Sequence, residues 1–214
     1  LVYWYLEWQE SSQEKKSKTF SYKNFNDRRQ WPPIIFFGVK LFMDLIVFFN
    51  TLFGFFTFVA WAICLFILFL IFTKKSFSKV INDQFYNFAT LVAIVCSIGS
   101  LVYSEVVGFI PCRFCWYQRY LMYPIALILI IGLFNKKFIR AGYLSLVGIG
   151  VGAYHIYLQN GGGGGGSCAI DVPCNLKYVD IFGFISIPVM ASTGFLTIFL
   201  ALLYYDLSRK EIVE

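Results

Sequence analysis

Charge is what this sequence has least of. Only 14% of its 214 residues are Asp, Glu, Lys or Arg, against 58% hydrophobic and 21% aromatic, and the mean hydropathy is +0.67. A soluble domain of ordinary composition carries about 25% charged residues, so that class is excluded. The apolar runs reach the roughly 20 residues that cross a hydrocarbon core about 30 Å thick. Also missing is a basic amphipathic face that would read nucleic acid: the net charge of +6 comes from the N-terminal segment and from the stretches between apolar runs, where basic residues act as topology signals. No secretory signal pattern opens the chain, and its first residue is Leu rather than Met, so residues upstream are expected. What is left is an integral membrane protein, helical almost throughout.

Residues 1–33 read as a polar tail, with Lys15, Lys16, Lys18, Lys23, Arg28 and Arg29 against Glu7, Glu10, Glu14 and Asp27, ending at Trp31-Pro32-Pro33. Residues 34–83 form an extra apolar segment. Its first part, to about 49, reads as interfacial, with Lys40 and Asp44 able to pair one turn apart, and a span follows over about 52–72. A tight hairpin is the alternative, and it would return the N-terminus to the cytosol. Four more spans are predicted at about 87–109, 116–134, 141–158 and 182–205, with residues 208–214 as a cytoplasmic tail. Lys74, Lys75 and Lys79, then Lys136, Lys137 and Arg140, then Arg209 and Lys210 all fall on one side, the cytoplasmic one by the positive-inside tendency.

The six cysteines divide into two kinds. Cys64 and Cys96 lie inside apolar runs and read as small apolar residues. Cys112, Cys115, Cys168 and Cys174 lie next to run ends, opposite the basic loops, where disulfides persist. The first two belong to Pro111-Cys112-Arg113-Phe114-Cys115-Trp116-Tyr117-Gln118-Arg119. On a helix opening at Cys115, Arg119 stands one turn further along the same face. A cation and a helix N-terminus both favour thiolate over thiol, which is the reactive form. The second pair follows Gly161–Gly166, six glycines in a row, a flexible tether that would let Cys168 move. Zinc is a competing reading of four cysteines, opposed by the charges of Arg113 and Arg119. Inert structural disulfides are another, opposed by the small ring a C-x-x-C bridge closes. His155 alone reads as a satisfied interface histidine.

The run from Cys112 through Arg119 to Pro124 resembles the signature of the DsbB/BdbC disulfide bond formation family. His155-Ile156-Tyr157-Leu158-Gln159, Val172-Pro173-Cys174 and the stretch from Phe182 to Pro188 resemble further family segments in the same order. The resemblance spans about 84–207. It implies an all-α, integral membrane four-helix bundle, here with an extra N-terminal transmembrane segment, in the bacterial inner membrane with its redox cysteines on the extracytoplasmic face. It implies a membrane thiol:quinone oxidoreductase that reoxidises a DsbA-like thioredoxin-fold partner and passes the electrons to ubiquinone or menaquinone. Carried over by residue, Cys112 and Cys115 become the quinone-coupled pair, with Cys115 the thiolate that contacts the ring. Arg119 becomes its electrostatic partner and His155 a residue lining the quinone site. Cys168 and Cys174 become the shuttle pair, Cys168 forming the mixed disulfide with the partner. A vitamin K epoxide reductase-like oxidoreductase, in which the redox C-x-x-C follows the loop pair rather than preceding it, and a non-enzymatic scaffold with structural disulfides are the alternatives.

Overall fold

Five helices long and apolar enough to cross a membrane make up most of the computed structural model, which describes residues 33–73, 79–133, 141–162 and 177–213. In chain order they are α1 (Pro33–Phe72), α2 (Lys79–Leu101), α3 (Arg113–Gly132), α4 (Ala141–Gln159) and α5 (Ile187–Val213). A π-helical turn, Val102–Val106, prolongs α2. Among the described residues the only β contact is an isolated bridge between Ile181 and Ile185, so the expected all-α membrane bundle is the fold observed. Cys168, Cys174, the glycines beyond Gly162 and the basic residues of both loops expected to be cytoplasmic (Lys74, Lys75, Lys136, Lys137, Arg140) lie outside the described residues.

The chain divides into two units, residues 1–43 and 44–214. Of the first, only the helical turns from Pro33 are described; the second holds all that follows. The expected break near residue 50 does not occur. α1 is one helix of 40 residues, which excludes the hairpin. Pro33 occupies the first helical position, where its missing N–H costs nothing, and no proline follows before the helix ends. Gly54 does not break it either. A Cβ there would come within 2.8 Å of Ile181, so this glycine serves close packing. The stretch apolar enough to span is Asp44–Phe72.

Around a central core the four later helices form a ring: α2 neighbours α3 and α5, and α4 neighbours the same two. Tyr86, Ile125, Leu129, Phe195, Ile198 and Leu202 fill the middle, each almost wholly buried, and the Tyr86 hydroxyl donates to the Leu129 carbonyl at 3.2 Å. Lipid tails are as apolar as leucine, so association here rests on close packing through small residues. Gly148 and Gly152 of α4 take the Phe195 ring and the Ser192 side chain of α5, and Gly194 of α5 takes Cys96 of α2. Pro124 sits inside α3 without ending it, as proline often does in membrane helices.

From Asn50 onward α1 lies over the groove between α2 and α5. The Tyr103 hydroxyl donates to Asn50 Oδ1 at 3.2 Å, and Phe53 meets the Tyr103 ring. Further along, Trp61 Nε1 donates to Thr193 Oγ1 at 2.9 Å, and Cys64 Sγ lies 3.3 Å from Thr197 Oγ1. Phe58 and Trp61 also pack on Phe184. That ring belongs to a tight turn with Phe182 at φ 55° and Gly183 at φ 79°. The turn is why α5 begins at Ile187 rather than at 182. α2 begins and ends eight residues earlier than the expected 87–109 and α5 ends eight residues beyond 205, whereas α4 departs by a single residue.

Candidate functional site

Helix α3 starts two residues before Cys115, and that shift decides which sulfur meets the helix terminus. Cys112 is the N-cap residue, extended at φ −69°, ψ 171°, and its sulfur accepts the Cys115 amide at 3.3 Å. An N-cap side chain ordinarily supplies an oxygen to an orphan N–H of the first turn; here a sulfur does so. The cap brings the two sulfurs to 2.8 Å, within an ångström of the roughly 2.05 Å of a disulfide.

On the other side of Cys112 stands His155, projecting from the end of α4. Its Nε2 is 3.4 Å from Cys112 Sγ, its ring is buried and packs on Phe114 at 5.7 Å. Its Nδ1 has no hydrogen-bond partner among the described residues. The hydrogen bond from Cys115, then those from the His155 ring and the Cys115 amide, draw the Cys112 thiol below its ordinary range, against a burial effect of opposite sign. Each of these contacts favours sulfur as an anion. Cys112 is therefore the thiolate the local geometry prepares.

Arg119 stands one turn beyond Cys115, as the spacing requires, and its guanidinium is anchored to α2. Nε donates to Ser100 Oγ at 2.8 Å and a terminal nitrogen to the Ser100 carbonyl at 2.9 Å, while the group sits 5.2 Å above the Trp116 ring. Ser100 lies two residues before the π turn that prolongs α2; such turns frequently mark functional sites.

Cys115 and Arg119 share a cavity of about 450 Å³ walled by α1, α2, α3 and α5. Its lining is almost entirely apolar and includes Cys96. Gln118 and Tyr123 of α3 are also among its lining residues, but Gln118 Nε2 and the Tyr123 hydroxyl are themselves buried without a partner among the described residues, the former against Gly152 of α4. Cys112 and His155 do not line it. The two sulfurs thus look in different directions, Cys115 toward the cavity and Cys112 toward His155. The structure places His155 beside Cys112 and not among the residues that line this cavity.

Cys112, Cys115 and His155 also bring three potential metal donors within 4.8 Å of one another. Two thiolates bound to one zinc at about 2.3 Å in tetrahedral geometry stand roughly 3.8 Å apart. The observed 2.8 Å is too close for that, and matches a pair set to bond to each other. Sequence reading named Cys112, Cys115, Arg119 and His155, and all four gather at one end of the bundle. It missed Ser100, Gln118 and Tyr123. Gln118 lies in the same motif one turn from Cys115 and was within reach of the periodicity argument, whereas Ser100 carries no signal in sequence.

A bundle of membrane helices carrying a contiguous C-x-x-C at a helix mouth, beside a buried histidine and an anchored arginine, defines a membrane-embedded thiol–disulfide oxidoreductase. The model of the family "Disulfide bond formation protein DsbB" matches residues 82–205, and the chain belongs to that family. A "Probable disulfide formation protein" of Oceanobacillus iheyensis is 46% identical over 113 residues, 50% of this chain and 78% of the relative. "Disulfide bond formation protein C" of Bacillus subtilis is 40% identical over 115 residues, 50% of this chain and 82% of the relative. "Probable disulfide formation protein C 2" of Bacillus anthracis is 34% identical over 136 residues, 62% of this chain and 97% of the relative. No solved structure matches. The chain is a multi-pass membrane protein of disulfide bond formation, and α1 lies ahead of the region the family model covers.

Proposed function

We propose that this protein is a thiol:quinone oxidoreductase that reoxidises an extracytoplasmic thioredoxin-fold dithiol and delivers the electrons to a quinone dissolved in the membrane. The observation that carries the reading is the division of the sulfur pair, with Cys115 and Arg119 opening into an apolar cavity and Cys112 held outside it. The cavity suits such an acceptor. Its volume of 450 Å³ falls in the range of small-molecule sites. Its polar end offers Arg119 to a carbonyl acceptor of a quinone ring, while the remaining wall is apolar enough for an isoprenoid tail. A bound quinone would supply a two-electron, two-proton acceptor next to Cys115.

The chain's own part is thiol exchange. The partner's thiolate attacks the Cys168–Cys174 disulfide, forming a mixed disulfide at Cys168 and releasing Cys174. The partner's second thiol then breaks that bond and leaves oxidised, so two electrons and two protons now reside on Cys168 and Cys174. These reduce the Cys112–Cys115 disulfide in the same way. Cys112 is the leaving sulfur the structure favours, because the Cys115 amide and the His155 ring hold its charge, and a better-stabilised thiolate departs faster. His155 is then the group beside Cys112 able to hold or release a proton. Arg119, fixed by Ser100, presents a preorganised positive charge where negative charge develops at the cavity end. Re-formation of the Cys112–Cys115 bond returns the pair to its starting state.

The test uses the reduced protein alone, mixed anaerobically with a quinone while free thiols are counted. Loss of two thiols per quinone reduced, abolished by Cys115→Ala, supports the reading. Reduced protein whose thiols persist beside excess quinone overturns it.

A further inference from the structure

The cavity has a wall that the family region does not supply. Phe53, Phe56, Thr57, Ala60 and Ile63 of α1 line it, and their spacing marks one face of that helix. α1 is fastened on both sides of this stretch, through Asn50 and Phe53 to Tyr103 and through Trp61 and Cys64 to α5. Between those ties it bridges the groove and leaves the space beneath it open.

The wall is also not closed. Phe56 and Val59 of α1, and Leu91 and Val95 of α2, line the cavity and are at the same time exposed, by 46%, 38%, 57% and 39%. These four side chains belong to the membrane-crossing parts of their helices. They frame a slot between α1 and α2 that leads from the cavity to the lipid-facing surface. On the α5 side the same helix is sealed, since Trp61 and Cys64 bond directly to Thr193 and Thr197.

We propose that α1 converts the acceptor site into an enclosed chamber with a side portal, and that a quinone's isoprenoid tail leaves through the slot between Phe56/Val59 and Leu91/Val95. The inference rests on the quinone reading above and adds the path and the residues that select for a tail. The ring would sit at the Arg119 end, and the tail, which bears no polar atom, would thread between apolar side chains into lipid. Affinity for a tailed quinone then depends on the width of the slot. Affinity for a tailless one does not.

The experiment measures binding of two radiolabelled probes to the full-length protein in detergent, a decyl-substituted benzoquinone and tailless duroquinone. It also measures the long-tailed quinone that co-purifies from membranes. Narrowing the slot with Val59→Phe plus Val95→Phe is expected to weaken the decyl probe about tenfold or more and to deplete co-purified quinone, leaving duroquinone unchanged. Cutting back its apolar edges with Val59→Ala plus Leu91→Ala removes contacts to the tail and should weaken the decyl probe severalfold while leaving duroquinone unchanged, and it serves should the first variant fail to fold. Leu65→Phe, on the exposed side of α1, is the control. Equal effects on both probes, or none on either, overturn the portal. If Arg119→Ala still abolishes binding of both, the quinone reading survives that failure. Wild-type protein that binds neither probe overturns both.

Discussion

Cys112 Sγ and His155 Nε2 are 3.4 Å apart, a contact between the first turn of α3 and the last turns of α4 made by residues 43 positions apart in the chain. It separates the duties of the two sulfurs, giving Cys112 a stabilised charge while Cys115 faces the cavity. The first prediction follows from it. Cys112 is drawn below the ordinary thiol range by its contacts with Cys115 and His155, so in the reduced protein it becomes anionic at a lower pH than a free thiol does. Alkylation of Cys112 by iodoacetamide should stay fast well below the ordinary thiol range near 8.5 and fall away only under acid conditions. His155→Ala removes one of the stabilising contacts, so its pH midpoint should move upward. A wild-type midpoint near 8.5 would contradict the assignment of the thiolate to Cys112.

Arg119 is held by two hydrogen bonds to Ser100, so its charge is preorganised rather than recruited. Arg119→Ala should leave the cysteines able to form their disulfide while lowering quinone turnover about 100-fold, the usual size of a lost preorganised donor. Ser100→Ala removes one anchor and should cost less, raising KM for quinone more than it lowers kcat. Unaltered quinone kinetics in Arg119→Ala would reduce the arginine to a packing group over Trp116.

Cys168→Ser should abolish oxidation of the partner dithiol while Cys112 and Cys115 still react with quinone. Gel-shift trapping of the mixed disulfide with a reduced partner whose second cysteine is replaced by alanine, accumulated with the unaltered protein and lost in Cys168→Ser, checks the order of exchange. Full-rate partner oxidation by Cys168→Ser would remove these loop cysteines from the mechanism.

Packing of α4 on α5 has its own test. A Cβ at Gly148 would stand 2.5 Å from the Phe195 ring, whose side chain is 0% exposed and has nowhere to retreat. Gly148→Ala should therefore destabilise the bundle by about 1–3 kcal/mol, visible as a lower midpoint on thermal unfolding in detergent. Gly150→Ala, with nothing within 4 Å of its Cβ, should not lower it.

Much of this was legible in the chain because hydropathy and the C-x-x-C spacing are local signals. The bundle, the meeting of Cys112 with Cys115 and the register of Arg119 all come from residues within one or two turns of each other. The unbroken α1 was not legible: Lys40, Asp44 and Asn50 look like interruptions in a hydropathy trace, yet a helix continues through polar residues unless a proline or a cap stops it. Which sulfur caps α3 turned on a two-residue shift of the helix start, a boundary composition does not fix. The pairing of Arg119 with Ser100 and the part of α1 in the cavity are tertiary facts, set by how helices distant in sequence lie together.

The most direct measurement of the central claim is quinone absorbance during turnover by the purified protein supplied with a reduced thioredoxin-fold dithiol. The account predicts one quinone reduced for each partner disulfide formed, with Cys115→Ala abolishing the quinone signal. Partner oxidation proceeding at full rate with no quinone consumed, or quinone reduction undiminished by Cys115→Ala, would contradict it.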